Sequence, residues 1–367
     1  MVKVSTIYIR ENLNELASAI DKKSSIFVII DNNLKPYCSH FSQFNTIWLN
    51  TSENAKTLDT VAELTGKLLE AGADRASFII GVGGGITTDI AGFVASTYKR
   101  GVKFGFVPTT LLAQVDASIG GKNGVNYNSY KNIIGTINQP EWIFICPQML
   151  STLNPREFKA GIAEVLKTFI LFDKEYYKVA VEYFAQLEQL LEKEGSYAPD
   201  GEFCNLSLLT EIIGKCAQYK SAVVERDEFE RGERRMLNLG HTFAHAIEKI
   251  CGEACSADGK QSGIMHGEAV AIGMVLAAKL SVKMGMATGE FADMIEHDLK
   301  RVGLPVDVPV HPATGEKIAV TSLLEALKKD KKVNGEHINF IIPQDLGCVK
   351  DIKILIKELE DLACDLC

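Results

Sequence analysis

Residues 77–89 read SFIIGVGGGITTD. Ser77 to Val82 is an apolar run of strand length that ends in glycines, and Ile86 to Ser96 continues with helical spacing. Strand, glycine cluster and helix together make the unit from which parallel sheets are built, because a crossover helix must return the chain to the same end of the sheet. Glycine carries no Cβ, so the backbone here can approach a ligand closely and present N–H groups at a helix start. That chemistry suits a pyrophosphate. The pattern is not the usual dinucleotide fingerprint: GxGxxG is absent and the run does not follow the first strand. The plain alternative is a tight turn packed on a neighbour; the strand–glycine–helix order favours phosphate binding.

Working outward, the same alternation recurs. Ile26 to Ile30, Thr46 to Leu49, Phe104 to Val107 and Trp142 to Cys146 read as strands, and Leu58 to Ala71 as a helix. After about Leu150 the texture changes and strand signals nearly vanish. Phe158 to Phe172, Tyr176 to Glu194, Leu206 to Val224, His241 to Ile250 and Glu268 to Met284 all carry helical spacing, with a late strand expected at His337 to Ile342. The stretch from Ala269 to Leu280 is apolar nearly all round, which predicts a buried helix. The expected architecture is a Rossmann-like parallel-sheet α/β domain over 1–153 and a mainly α-helical domain over 154–367.

The bulk properties narrow the class. A chain of 367 residues is long for one hydrophobic core. Net charge is -8, which argues against a basic face for nucleic acid. The longest apolar candidate, Ala269 to Ala278, ends at Lys279, short of the ~20 residues a membrane span needs. The first residues show no signal-peptide core. Nine cysteines form no framework, as in reduced, cytoplasmic proteins. The pairs Cys251/Cys255 and Cys364/Cys367 are read as ordinary thiols.

The helical half holds the candidate metal ligands. Glu164 lies in GIAEVLK, His241 and His245 in NLGHTFAHAIE, and His266 in MHGEAVAIG. His241 and His245 are spaced i,i+4, on one helix face, and two histidines with a carboxylate would hold Zn²⁺ with a coordination position open. A lone histidine is more often a hydrogen-bonded core or surface residue; the clustering of these beside glycine and asparagine tips the balance. Arg100, Lys122, Lys131 and Arg234 sit in polar, glycine-rich company, where cations can grip phosphate or carboxylate oxygens. Together they point to a small anionic substrate.

The runs GGGITTD, RGVKFGFVPTTLLAQVDASIGGKNGVN, KNIIGTINQP, GIAEVLK, ERGERRMLNLGHTFAHAIE and MHGEAVAIGM occur in one order over about residues 52 to 280. This set resembles the 3-dehydroquinate synthase family. The resemblance implies the dehydroquinate-synthase-like fold, shared with glycerol and iron-containing alcohol dehydrogenases. It implies Glu164, His241 and His266 as ligands of Zn²⁺ (or Co²⁺), and His245 as a substrate-side group instead of a ligand. It implies NAD on Gly84, Gly85 and Asp89, with Thr109, Thr110, Lys122, Lys131 and Thr152 beside it and Glu53 and Lys56 at its adenosine end. Arg100, Asp116, Lys122, Lys131, Asn132, Lys167, Lys220, Glu230, Arg234, Asn238 and His245 match substrate-pocket positions, joined by Lys331 or Lys332. The implied substrate is a phosphorylated sugar acid, and the implied assembly a homodimer.

Three positions depart from the family pattern: Ser52, Thr88 and Ala244 stand where it carries glycine. Added side-chain atoms there bear on how closely backbone meets a cofactor. The competing expectations are another sugar phosphate cyclase, such as a 2-deoxy-scyllo-inosose or valiolone-type synthase, and a metal-dependent alcohol dehydrogenase of the same fold. A non-catalytic scaffold is a third, and it predicts lost ligands.

Overall fold

The structure is a computed structural model that describes residues 4–20, 25–128, 130–252, 263–312, 314–328, 333–334 and 337–363. Lys331, Lys332, Cys255, Cys364 and Cys367, singled out above, lie outside the described residues.

The first part runs β1 (Thr6–Ile9), β2 (Ile26–Asp31), β3 (Asn45–Leu49), α1 (Leu58–Glu70), β4 (Phe78–Gly83), α2 (Gly85–Thr97), β5 (Lys103–Pro108), β6 (Lys122–Tyr127), β7 (Tyr130–Ile137) and β8 (Trp142–Ile145). Six of these strands form one sheet in the order β1-β8-β5-β4-β2-β3, and every pairing is parallel. A parallel sheet is covered on both faces, so its strands read as unbroken apolar runs. Val28, Ile29 and Ile30 of β2 and Ile79, Ile80 and Val82 of β4 are accordingly all fully buried. Each such side chain contributes about 1.5–3 kcal/mol of burial. Val82 pairs with Val107 and Gly83 with Pro108, so the glycine cluster after β4 lies level with Thr109 and Thr110 after β5.

β6 and β7 form an antiparallel hairpin that the sequence reading did not anticipate. Its apolar residues do not alternate cleanly, and Tyr127, Tyr130, Ile133 and Ile137 are exposed. It packs on α2 at Gly92, where a Cβ would overlap the side chain of Asn123.

The later part runs α3 (Pro155–Phe172), α4 (Lys174–Glu194), α5 (Leu206–Arg226), α6 (His241–Cys251), α7 (His266–Lys283), α8 (Gly289–Arg301), α9 (Val320–Lys328), β9 (Val333–Asn334), β10 (His337–Asp345), β11 (Cys348–Leu355) and α10 (Ile356–Ala363). The late strand expected at His337 to Ile342 is β10, and it pairs with β11 and β9, which the sequence reading did not anticipate, in a second, antiparallel sheet of order β11-β10-β9. β10 carries the buried apolar residues Ile338, Phe340, Ile341 and Ile342, while β11 is mostly exposed and carries charged side chains that hide it as a strand in the sequence. α7 is buried on nearly all sides, as its apolar circumference requires.

The chain divides into two compact units, one of Met1–Leu153 with Asp200–Phe229 and one of Asn154–Pro199 with Glu230–Cys367. α5, which the sequence reading placed with the helical half, therefore belongs to the first unit. Its Ile212, Ile213, Cys216 and Ala217 are buried, and its Lys220 ammonium donates to Asp116.

Candidate functional site

In the first unit, α2 begins on glycines that are closely packed against neighbouring side chains. A Cβ at Gly84 would lie 2.9 Å from Cγ2 of Thr110, and one at Gly85 would lie 3.2 Å from Cβ of Ala117. Gly84 caps the helix without a side-chain hydrogen bond, and the first intrahelical bond of this turn runs from the N–H of Thr88 to its carbonyl. The N–H groups of Gly85, Ile86 and Thr87 point out of the first turn and take no acceptor among the described residues. The Thr87 hydroxyl is also buried without a partner. An N-terminal turn with free N–H groups and glycine backbone is the geometry that receives a phosphate, so these residues fit a dinucleotide.

Asp89 lies one turn further along α2. Its Oδ2 accepts from Nζ of Lys56 at 2.5 Å, and the same ammonium donates to Oδ1 of Asn132 at 2.5 Å. Asn126 links the rest: it donates to Glu53 Oε1 at 2.6 Å and accepts from the Asn132 N–H at 2.9 Å. Burial pushes the Asp89 carboxyl above the usual aspartate range, against the pull of Lys56. Lys56 is itself only 5% exposed. Thus Glu53, Lys56, Asp89 and Asn132 form one network. A second pair in this unit joins Lys220 of α5 to Asp116: its ammonium donates to Oδ1 at 2.6 Å and to the main-chain carbonyl at 2.7 Å.

Thr109 is buried and its N–H donates to Gly83 at 3.0 Å; the Thr110 hydroxyl accepts from the N–H of Ala113. Lys122 and Lys131 are exposed on the β6–β7 hairpin. Arg100 is exposed too, with backbone in the left-handed region (φ 70°). Thr152 is exposed, and neither it nor Arg100 bonds to the network above. Two of the departures are absorbed locally. Thr88 is buried and its hydroxyl donates to the Gly85 carbonyl at 3.0 Å. Ser52 caps the short turn Glu53–Ala55 through the N–H of Ala55.

In the second unit, three helices each deliver one ligand group. Glu164 comes from α3, His241 from the start of α6 and His266 from the start of α7, and their donor atoms all lie within 4.8 Å of one another. Nε2 of His241 is 3.6 Å and Nε2 of His266 3.7 Å from Oε1 of Glu164. Glycines permit this convergence. Gly240, just before His241, has φ 78°, and a Cβ there would be 2.9 Å from the N of Met274 on α7. A Cβ at Gly273 would overlap the Gly240 carbonyl, and one at Gly267, just after His266, would overlap the Ala160 carbonyl on α3. Ala244, the third departure, is fully buried on α6. A clamp also holds α3 to α7: Arg156 donates from Nε to Oε1 of Glu268 at 2.6 Å and from Nη2 to Oε2 at 2.7 Å.

Electrostatics at this cluster are those of a cation site. Glu164 is 0% exposed and both its oxygens lack a hydrogen bond; the Lys167 ammonium is in ion-pair contact with Oε2. A buried carboxylate is costly unless a positive charge compensates it. Each imidazole turns Nδ1 away from Glu164, His241 toward the Leu239 carbonyl at 3.1 Å and His266 toward Glu248 Oε1 at 3.0 Å. Burial lowers the His266 pKa most, but the hydrogen bond and charge of Glu248, with the charge of Glu164, outweigh it and leave the pKa raised. Two Nε2 atoms and one carboxylate fit a tetrahedral divalent ion with an open position. The i,i+4 spacing had suggested His245; its ring stands 5.8 Å from that of His241, and it is outside the ligand group. Nearby in the sequence, Asn238 donates to Glu230 at 2.6 Å, and Arg234 is buried.

Glu248 was not singled out from sequence. Its position in HAIEK looks like a solvated helix face, and only the fold brings it to His266.

The description "3-dehydroquinate synthase N-terminal" matches residues 46–160, and "3-dehydroquinate synthase C-terminal" matches 161–333. The chain belongs to the 3-dehydroquinate synthase family. A curated 3-dehydroquinate synthase from Prochlorococcus marinus is 37% identical over 355 residues, covering 93% of this chain and 90% of its own. Among solved structures, a 2-epi-5-epi-valiolone synthase from Streptomyces hygroscopicus with NAD+ and Zn2+ bound superimposes with TM-score 0.81 at 25% identity, over 100% of this chain and 98% of that one. A 2-deoxy-scyllo-inosose synthase complexed with carbaglucose-6-phosphate, NAD+ and Co2+ gives TM-score 0.80 at 24% identity, over 98% of this chain and 96% of that one. The dehydroquinate-synthase-like fold expected from the motifs is therefore the fold of this chain.

Proposed function

We propose that the chain closes 3-deoxy-D-arabino-heptulosonate 7-phosphate into 3-dehydroquinate with loss of phosphate, as a carbon–oxygen lyase. The observation that carries this is the cluster of Glu164, His241 and His266, complete within a chain that belongs to the family. The level of identity favours this reaction over the other cyclases, whose solved members match less closely in sequence.

Glu164, His241 and His266 hold Zn²⁺ or Co²⁺, and Gly84, Gly85 and Asp89 hold NAD, with Thr109, Thr110 and Thr152 beside it and Glu53 and Lys56 at its adenosine end. When bound, the metal supplies Lewis acidity toward adjacent substrate oxygens, and NAD supplies a hydride acceptor that is regenerated within each turnover. The protein's own residues do the rest. Lys167, Lys220 and Arg234 bind hydroxyl and carboxylate oxygens, and burial makes each contact stronger than it would be in water. Asp116 orients Lys220, and Glu230 orients Asn238. Arg100, Lys122, Lys131, Asn132 and His245 hold the departing phosphate and assist proton transfer. The active form is a homodimer in the cytoplasm, a compartment in which thiols such as those of Cys146 and Cys251 stay reduced. No helix of the described residues is long and apolar enough to cross a membrane.

The test is substrate choice. 3-Deoxy-D-arabino-heptulosonate 7-phosphate should yield a product identical to 3-dehydroquinate by chromatography and mass, and glucose 6-phosphate should yield none. The reverse result would assign the chain to the inosose-type reaction.

A further inference from the structure

We infer that Glu248 is a positioning residue that fixes the ring orientation and tautomer of His266 for metal binding. This rests on the metal reading given above and extends it to a residue outside the ligand set.

His266 presents two nitrogens to two carboxylates. Nδ1 lies 3.0 Å from Oε1 of Glu248, and Nε2 lies 3.7 Å from Oε1 of Glu164. An ionised carboxylate only accepts, so Glu248 requires the proton on Nδ1 and leaves Nε2 with the bare lone pair a cation needs. Glu248 sits two turns after His241 on α6, so one helix supplies both a ligand and the group that aims another ligand on α7. Glu248 is 8% exposed, so its carboxylate is largely withdrawn from water at the end of the bond that it accepts. His241 is aimed differently, by the main-chain carbonyl of Leu239, which no side-chain substitution removes. Loss of Glu248 therefore removes an anchor of a ligand ring while keeping all three ligands. Partners of this kind typically change metal affinity by about 10–100-fold.

The experiment compares wild type, Glu248→Ala and Glu248→Gln as full-length, metal-free proteins reloaded with metal. Zn²⁺ affinity is measured by competition with a chromophoric chelator, and the Co²⁺-loaded forms are compared by visible absorption. Glu248→Ala should bind Zn²⁺ about 10–100-fold more weakly and show an altered Co²⁺ spectrum. Glu248→Gln should recover most of the affinity, because its amide oxygen still accepts from Nδ1. Wild-type affinity and spectrum in Glu248→Ala would overturn the assignment, as would a Glu248→Gln variant no better than Glu248→Ala. Wild-type protein that takes up neither ion would instead overturn the metal reading itself.

Discussion

Gly267 of α7 lies so close to Ala160 of α3 that a Cβ on it would overlap the Ala160 carbonyl. These residues flank two ligands: Gly267 follows His266, and Ala160 is one turn before Glu164. The contact sets the spacing of α3 and α7, and so the spacing of the carboxylate and the imidazole.

Gly267→Ala should therefore separate the helices. Helix propensity alone would favour alanine by about 1 kcal/mol. Overpacking against backbone costs about 1–3 kcal/mol, and it wins here because a carbonyl cannot rotate away. The expected outcome is a lower melting temperature and Zn²⁺ affinity reduced at least about tenfold. A variant that melts higher and binds Zn²⁺ normally would show that the close approach is not needed.

Glu164→Gln removes the charge of the ligand group and keeps its shape. Turnover should fall by about a thousandfold or more if the metal provides several kcal/mol of charge stabilisation. Dialysis of wild type against a chelator should abolish activity, and Zn²⁺ or Co²⁺ should restore it. Restoration should fail in Glu164→Gln; atomic absorption of the dialysed protein checks the metal content directly.

Lys56→Met leaves Asp89 without its ammonium partner. Burial already raises the Asp89 carboxyl above its ordinary value of 3.8, and removing Lys56 raises it further. A raised carboxylate pKa means that ionisation opposes folding. The stability concerned is complete below the unfolded-state pKa and is lost as pH rises through the folded value. The variant should be nearly as stable as wild type in acid and clearly less stable at neutral pH. Melting curves of both proteins across that interval give the comparison. NAD affinity should weaken as well, while Zn²⁺ affinity stays unchanged.

Cys146 is fully buried, and burial pushes its thiol up to about 11. Cys38 is exposed. At pH 8 a thiol near 11 is about one-thousandth ionised, and only the thiolate reacts. Brief alkylation followed by peptide mapping should label Cys38 and leave Cys146 unmodified until the protein is denatured.

Much of this was legible in the sequence, for identifiable reasons. The run from Ser77 to Asp89 read correctly because strand, glycine turn and helix are local features, each set by a few neighbouring side chains. His241 and His266 stood out through their glycine neighbours, and those glycines turned out to be where helices touch. The i,i+4 pairing of His241 with His245 misled because spacing reports a shared face and says nothing about which third helix meets it. Glu248 was invisible because its partner is on another helix, and a glutamate before lysine reads as solvent-facing. The return of α5 to the first unit and the β10–β11 pairing were also hidden, since both depend on contacts between distant parts of the chain. The β6–β7 hairpin lacked clean alternation because Tyr127, Tyr130, Ile133 and Ile137 are exposed while Val125 is buried.

The most direct measurement is phosphate release from 3-deoxy-D-arabino-heptulosonate 7-phosphate with NAD⁺ and Zn²⁺ present, while absorbance at the NADH band is followed. Stoichiometric phosphate release without lasting NADH, abolished by a chelator, is the predicted result. Steady NADH accumulation, or no phosphate release, would contradict the account and point to the dehydrogenase chemistry of the same fold or to a different cyclase substrate.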